Sequence, residues 1–127
     1  MFNLFTMNSF FKSFGFAYFG VVHLIKNERN FKIQFYLFIL VLFFAFYFQI
    51  SKMEWIAVLI CASSVLSLEA VNTSIERICN EMEPNFNPKI KIIKDTAAGA
   101  VLITSIFSSV IGILIFLPYV YRLVANL

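Results

Sequence analysis

Leu68-Glu69-Ala70-Val71-Asn72-Thr73-Ser74-Ile75-Glu76 is the stretch that decides how this chain is read. It follows an uncharged apolar run from Trp55 to Leu68. At ~100° per residue, Asn72 lies ~60° from Glu69 around a helix, and Glu76 lies ~20° from it. Asn80 falls ~20° to the other side. Four polar groups therefore line one face of a helix that begins as a membrane span. A carboxylate at membrane depth is costly, and it is there for function until shown otherwise.

Composition agrees with a membrane setting. The chain has 127 residues, 61% hydrophobic and 13% charged, against ~25% charged in a typical soluble domain. One domain covering residues 1–127 is expected, all-α in class. Seventeen phenylalanines add apolar bulk but point to no chemistry. Cys61 and Cys79 on a single helix stand ~27 Å apart, too far for a disulfide within one chain. They are read as packing residues. One histidine, His23, and no C-x-x-C exclude a zinc site. No nucleic-acid partner is expected.

Met1–Asn8 is expected to fray. Residues 9–26 read as a helix interrupted by Gly15 and Gly20, with Phe10, Phe14, Ala17, Val21 and Leu24 on one stripe. Lys12, His23 and Lys26 break its apolar surface, which suits a helix lying along the membrane rather than crossing it. Gly15 and Gly20 precede Val21 rather than a Gly-Lys pair, so they form no P-loop. Asn27–Asn30 is a polar break, in which Glu28 is either an exposed turn carboxylate or a functional group.

Three spans are expected at about residues 31–50, 55–76 and 96–117, each near the ~20 residues that cross a ~30 Å core. Ser51–Glu54 reads as a turn, and Trp55 sits where an interfacial aromatic belongs. The second helix should run on to Asn80 or Glu83 and project into water. Pro84–Pro88 is the loop, with Asn87 as N-cap and Pro88 at the first helical position. Lys89–Asp95 is a basic, wet entry to the third span, and Pro118 is expected to end it.

Charge sets the orientation. Lys12, Lys26, Arg29, Lys32, Arg77, Lys89, Lys91 and Lys94 fall on one side, and Lys52 and Arg122 on the other. Positive residues mark the cytoplasmic side, so the N-terminal side is read as cytoplasmic. Glu69 lies ~21 Å along the helix from Trp55, inside the apolar zone. Glu76 lies a further ~10.5 Å along, at or beyond the boundary.

A lipid-side carboxylate and a water-side carboxylate suit a reaction between a lipid head group and a water-soluble reagent. Glu69 can take a proton from a lipid hydroxyl. Glu28 and Glu76 can hold magnesium, which prefers one or two carboxylates plus substrate phosphates. Lys94 can neutralise phosphate, and Asp95 can bind another polar part of a nucleotide. These are parts for phosphoryl transfer. The same groups also suit a small cation-coupled transporter, or interhelical hydrogen bonds in a structural membrane subunit.

Leu68–Glu76 resembles the E-x-x-N-[ST]-A-I-E run of the prokaryotic diacylglycerol kinase family, small integral-membrane lipid kinases. Lys94-Asp95-Thr96-Ala97-Ala98-Gly99-Ala100-Val101 resembles the family's K-D-x-x-[AS]-[AG]-A-V run. Phe11–Phe14 and Glu28–Phe31 are similar to its amino-terminal part, and the likeness extends from about Ser9 to Pro118. Glu28-Arg29-Asn30-Phe31, Glu54-Trp55 and Ile115–Pro118 lean toward the undecaprenol kinase branch. The resemblance implies a homotrimer in the bacterial cytoplasmic membrane, each chain with three spans and an amphipathic surface helix. It implies ATP- and magnesium-dependent phosphorylation of a lipid alcohol, undecaprenol first and diacylglycerol second. By matching positions, Glu69 is the proton acceptor, Glu28 and Glu76 hold the metal with ATP phosphates, and Asn72 organises the site. Lys94 and Asp95 contact the nucleotide, and Asn85, Phe86 and Asn87 lie beside it. Lys12 and the surface helix frame the lipid entrance. Ser9, Asn80 and Ser74 depart from the family's usual Arg, Asp and Ala.

Overall fold

The computed structural model describes residues 4–126, and these form four helices joined by short connections. They are α1 (Leu4–Asn27), α2 (Arg29–Tyr47), α3 (Lys52–Met82) and α4 (Pro88–Ala125). The all-α expectation holds. So does the number of long apolar helices: α2, α3 and α4 each have the length and composition to cross a membrane.

Glycine does not interrupt α1, which runs unbroken through Gly15 and Gly20. Its start at Leu4 makes Leu4–Asn8 helical, where fraying was expected; Met1, Phe2 and Asn3 lie outside the described residues. The polar break is also narrower than Asn27–Asn30. Only Glu28 leaves the helix, with φ −101° and ψ 115°. Its N–H donates to the Leu24 carbonyl at 2.9 Å and its carbonyl accepts from Lys32 at 3.0 Å, so both helices stay hydrogen-bonded through the elbow.

α2 ends at Tyr47 rather than at residue 50. The Ile50 N–H donates to the Ala45 carbonyl at 3.2 Å and the Gln49 N–H to the Phe46 carbonyl at 3.2 Å. This is a Schellman motif, with Ile50 packed on Ala45 as its apolar contact. Gln49 takes the left-handed position at φ 50°, where glycine is usual. The expected turn Ser51–Glu54 is instead a helix start. Ser51 Oγ accepts from the Glu54 N–H at 3.3 Å, and Glu54 Oε2 accepts from the Ser51 N–H at 2.7 Å. That reciprocal capping box opens α3 at Lys52.

α3 has 31 residues, a rise of ~46 Å, so it outruns a ~30 Å hydrocarbon core. At the start of α4, the Asn87 side chain accepts from the Lys89 N–H at 3.0 Å, and Pro88 follows it as the first helical residue. Pro118 does not end α4, which continues to Ala125. Proline removes a single backbone bond here. Tyr119, next to it, is anchored by a 2.8 Å hydrogen bond to Glu54, and Arg122 complements the carbonyl end of the helix.

α3 packs against both α2 and α4, while α1 lies against α2. The apolar core sits at the α2–α3 turn: Ala45, Ile50, Val58 and Ile115, walled by Phe48, Trp55, Phe116 and Tyr119. Phe46 meets Trp55 edge-on at 4.8 Å between ring centroids. Elsewhere large apolar side chains face outward, Phe43 62%, Phe107 67% and Leu114 70% exposed. An aqueous domain has no use for such a surface; a lipid solvent does.

Candidate active site

The polar face of α3 turns inward. Glu69 is 4% exposed, and Asn72 and Thr73 are each 6% exposed. Gln34, on the second turn of α2, donates from Nε2 to Glu69 Oε2 at 3.4 Å. Two carbonyl oxygens remain, Gln34 Oε1 and Asn72 Oδ1, both buried and without a partner among the described residues. A buried acceptor left unmet costs ~1–3 kcal/mol.

Glu76 is partly buried, one further turn toward the helix end. Glu28 lies at the elbow: as the single non-helical residue between α1 and α2, it makes no cap hydrogen bond of its own. Its carboxylate instead pairs with Arg77 of α3, and Arg77 also bonds His23 Nε2 at 2.8 Å.

A second group lies around the α3–α4 loop. Asn80, Glu83, Pro84, Asn85, Phe86, Asn87, Ile90, Lys91, Lys94 and Asp95 line an open cleft of about 370 Å³. Lys94 Nζ donates to Asn80 Oδ1 at 3.0 Å, tying α4 to α3. Asp95 pairs with Lys91 one turn earlier, both in the open. Phe86 is 81% exposed, so its ring is free to stack.

The sequence-predicted residues thus fall in two groups. Glu69 and Asn72 are buried on α3 with Glu76 partly buried farther along it and Glu28 at the elbow on Arg77, while Asn85, Phe86, Asn87, Lys94 and Asp95 share the loop cleft. The turn from Glu76 to Asn80 joins them. Lys12, expected at the lipid entrance, makes no hydrogen bond or ion pair among the described residues. Sequence reasoning missed two partners. Gln34 read only as a polar residue near the end of a span, and Arg77 only as one more topology-setting charge. A polar side chain in an otherwise apolar run, and a cation directly after Glu76, were the available signals.

An apolar groove of about 590 Å³ lies over α3 between α2 and α4. Leu37, Phe38 and Val41 form one wall, Cys61, Val65 and Leu66 the floor, and Ile113, Phe116 and Leu117 the other wall. Gln34 also lines it, so the groove touches the side chain that bonds Glu69.

No cluster of three or more His, Cys, Asp or Glu side chains able to hold a metal occurs among the described residues. Glu28 and Glu76 are nevertheless hard oxygen donors, and magnesium bound with a nucleotide takes one or two carboxylates plus phosphate oxygens. The donor set fits that ion and does not suit a metal that needs a full protein cage.

The sequence pattern of the family described as prokaryotic diacylglycerol kinase matches residues 15–116. The undecaprenol kinase of Bacillus subtilis is 38% identical over 112 residues, covering 88% of this chain and 91% of that protein. A diacylglycerol kinase of Synechocystis sp. is 33% identical over 110 residues, covering 84% of this chain but 61% of that longer protein. The chain is a multi-pass bacterial membrane protein and a lipid kinase, and it belongs to the prokaryotic diacylglycerol kinase family.

Proposed function

We propose that this kinase transfers the γ-phosphate of ATP to undecaprenol at the cytoplasmic face of the membrane. The observation that carries the reading is Glu69: a buried carboxylate, bonded to Gln34, where an apolar groove meets a charged cluster. A long hydrocarbon with one terminal hydroxyl suits that junction. The likeness to undecaprenol kinase across nearly its whole length supports the same acceptor. Diacylglycerol, with the same primary hydroxyl, is the second reading, supported by the Synechocystis relative.

In this mechanism Glu69 accepts the proton of the lipid hydroxyl as its oxygen attacks the γ-phosphorus, the bond from that phosphorus to the β,γ-bridging oxygen breaks, and ADP leaves. Gln34 holds the carboxylate, and Asn72 offers its free carbonyl oxygen to a donor on the reactants. Glu28 and Glu76 would hold magnesium, which when bound would offset phosphate charge. Lys94 neutralises the phosphates and Asp95 contacts another polar part of the nucleotide. Phe86 gives the base an aromatic face, flanked by Asn85 and Asn87. Positioning and charge stabilisation do most of such chemistry.

Residues 1–127 act as one membrane-embedded domain in this reading. α1 lies along the cytoplasmic surface, and Lys12 frames the lipid entrance. The excess of positive charge at that side supports the orientation. Three copies associate, covering part of the outward apolar surface of α2 and α4.

Purified protein in vesicles containing undecaprenol, given magnesium and γ-labelled ATP, tests the proposal. The expected product is labelled undecaprenyl phosphate, formed only with the metal. Label confined to water-soluble phosphate overturns it. Ion or solute flux without ATP, with no labelled lipid, would instead mark a transporter.

A further inference from the structure

Arg77 directly follows Glu76, yet its side chain turns ~100° away from it around α3. It reaches back to the α1–α2 elbow, where Nη2 donates both to Glu28 and to His23 Nε2. Nε and Nη1 make no hydrogen bond among the described residues, and half of the side chain is exposed. A guanidinium carries five N–H donors in a flat fork, so most of its capacity is unspent. Its partner is one of the two carboxylates assigned to the metal. An exposed ion pair of this kind is a weak tie, and a metal ion on Glu28 would replace the cation as its counter-charge.

Arg77 also stands three residues before Asn80, which receives the Lys94 ammonium. One helical turn of α3 therefore anchors two cations, one held by the elbow and one by α4. A paired fork of N–H donors matches phosphate oxygens better than a single ammonium does.

We propose that Arg77 is a phosphate-binding residue of this kinase, exchanging Glu28 for the terminal phosphates of the metal-bound nucleotide. Arg77 pairs with Glu28 in the structure and neutralises that carboxylate. The inference rests on the kinase site proposed above and adds to it a phosphate contact and an exchange of partners.

Equilibrium binding of ATP, ADP and AMP to the purified full chain, with magnesium, tests it without turnover. Arg77→Ala is expected to weaken ATP by about tenfold or more while AMP changes by less than about twofold, since a charge-assisted bond to phosphate is lost. Arg77→Lys, which keeps the charge without the fork, is expected to fall between the two. A loss that is the same for ATP and AMP, or an ATP affinity unchanged in Arg77→Ala, overturns the proposal and leaves Arg77 a tie between helices. Circular dichroism of both variants verifies that helices persist. Wild-type protein that binds no nucleotide removes the kinase site itself and this inference with it. Wild-type binding without a phosphate-dependent loss in the variants removes the inference alone.

Discussion

The two ends of this helical bundle are built on opposite terms. At the α2–α3 turn, polar groups are paired with one another: Ser51 with Glu54, and Glu54 with Tyr119. The buried core of Ala45, Ile50, Val58 and Ile115 lies beside them. At the elbow and loop end, Glu69 is buried, two carbonyl oxygens have no partner among the described residues, and an ion pair lies open. Both ends hold glutamates on α3, so residue type does not separate them. Their partners do. Glu54 Oε2 accepts from both Ser51 and Tyr119, tying the α3 start to α4, whereas Glu69 accepts one long bond from Gln34 and Glu28 pairs with Arg77. The first end fixes the frame, and the second is the one assigned to the reactants in the proposed mechanism.

The contrast can be broken by substitution. Glu69→Gln removes the proton acceptor while keeping shape and the Gln34 contact. Turnover is expected to fall by about 10²-fold or more, the range for general-base loss, with ATP affinity nearly kept. Unchanged turnover would end the assignment. Glu76→Gln is expected to weaken magnesium-dependent ATP binding by about tenfold. Titrating the metal at fixed nucleotide checks this, and equal weakening without metal would contradict a role as ligand.

Effects at the other end should appear in stability and not in turnover. Ala45 is 0% exposed, so Ala45→Leu overfills the core at a cost of about 1–3 kcal/mol. Ser51→Ala removes the cap of α3 and costs about 1 kcal/mol. Thermal unfolding in detergent, followed by circular dichroism, measures both, with specific activity of the folded fraction expected to stay within about twofold for the cap variant. The smallest effect expected is Gln49→Gly. It relieves a left-handed residue at φ 50° and should change stability by less than about 1 kcal/mol, in the favourable direction. A large loss of activity in the cap variant would blur the division between the two ends.

Much of this frame was legible in the sequence because it depends on local rules. Asn87 and Pro88 announce the start of α4 through capping chemistry, and the apolar runs announce membrane-length helices. Ser51 and Glu54 also spell a capping box, yet polar residues between two apolar runs read more readily as a turn. Gln49 concealed the Schellman motif because glycine is the residue expected there. Pro118 and the glycines of α1 misled in the other direction: each weakens a helix locally, and neighbouring hydrogen bonds and anchors outweigh that cost.

The candidate site was legible as a pattern wherever its residues share one helix or one loop. Glu69, Asn72 and Glu76 follow from helical periodicity alone, and Lys94 and Asp95 from their place at the start of α4. Contacts between helices were not legible. Gln34 lies 35 residues before Glu69, and Glu28 lies 49 residues before Arg77. Periodicity gives the face of each helix but not the neighbour it meets, so the pairing of Arg77 with the elbow required the fold.

The acceptor is the point on which the account stands or falls. Undecaprenol and diacylglycerol, mixed at equal concentration in the same vesicles with the wild-type chain, magnesium and γ-labelled ATP, compete directly for the hydroxyl site proposed beside Glu69. The account predicts that label accumulates mainly in undecaprenyl phosphate. Label accumulating mainly in phosphatidic acid, or in neither lipid, would contradict it.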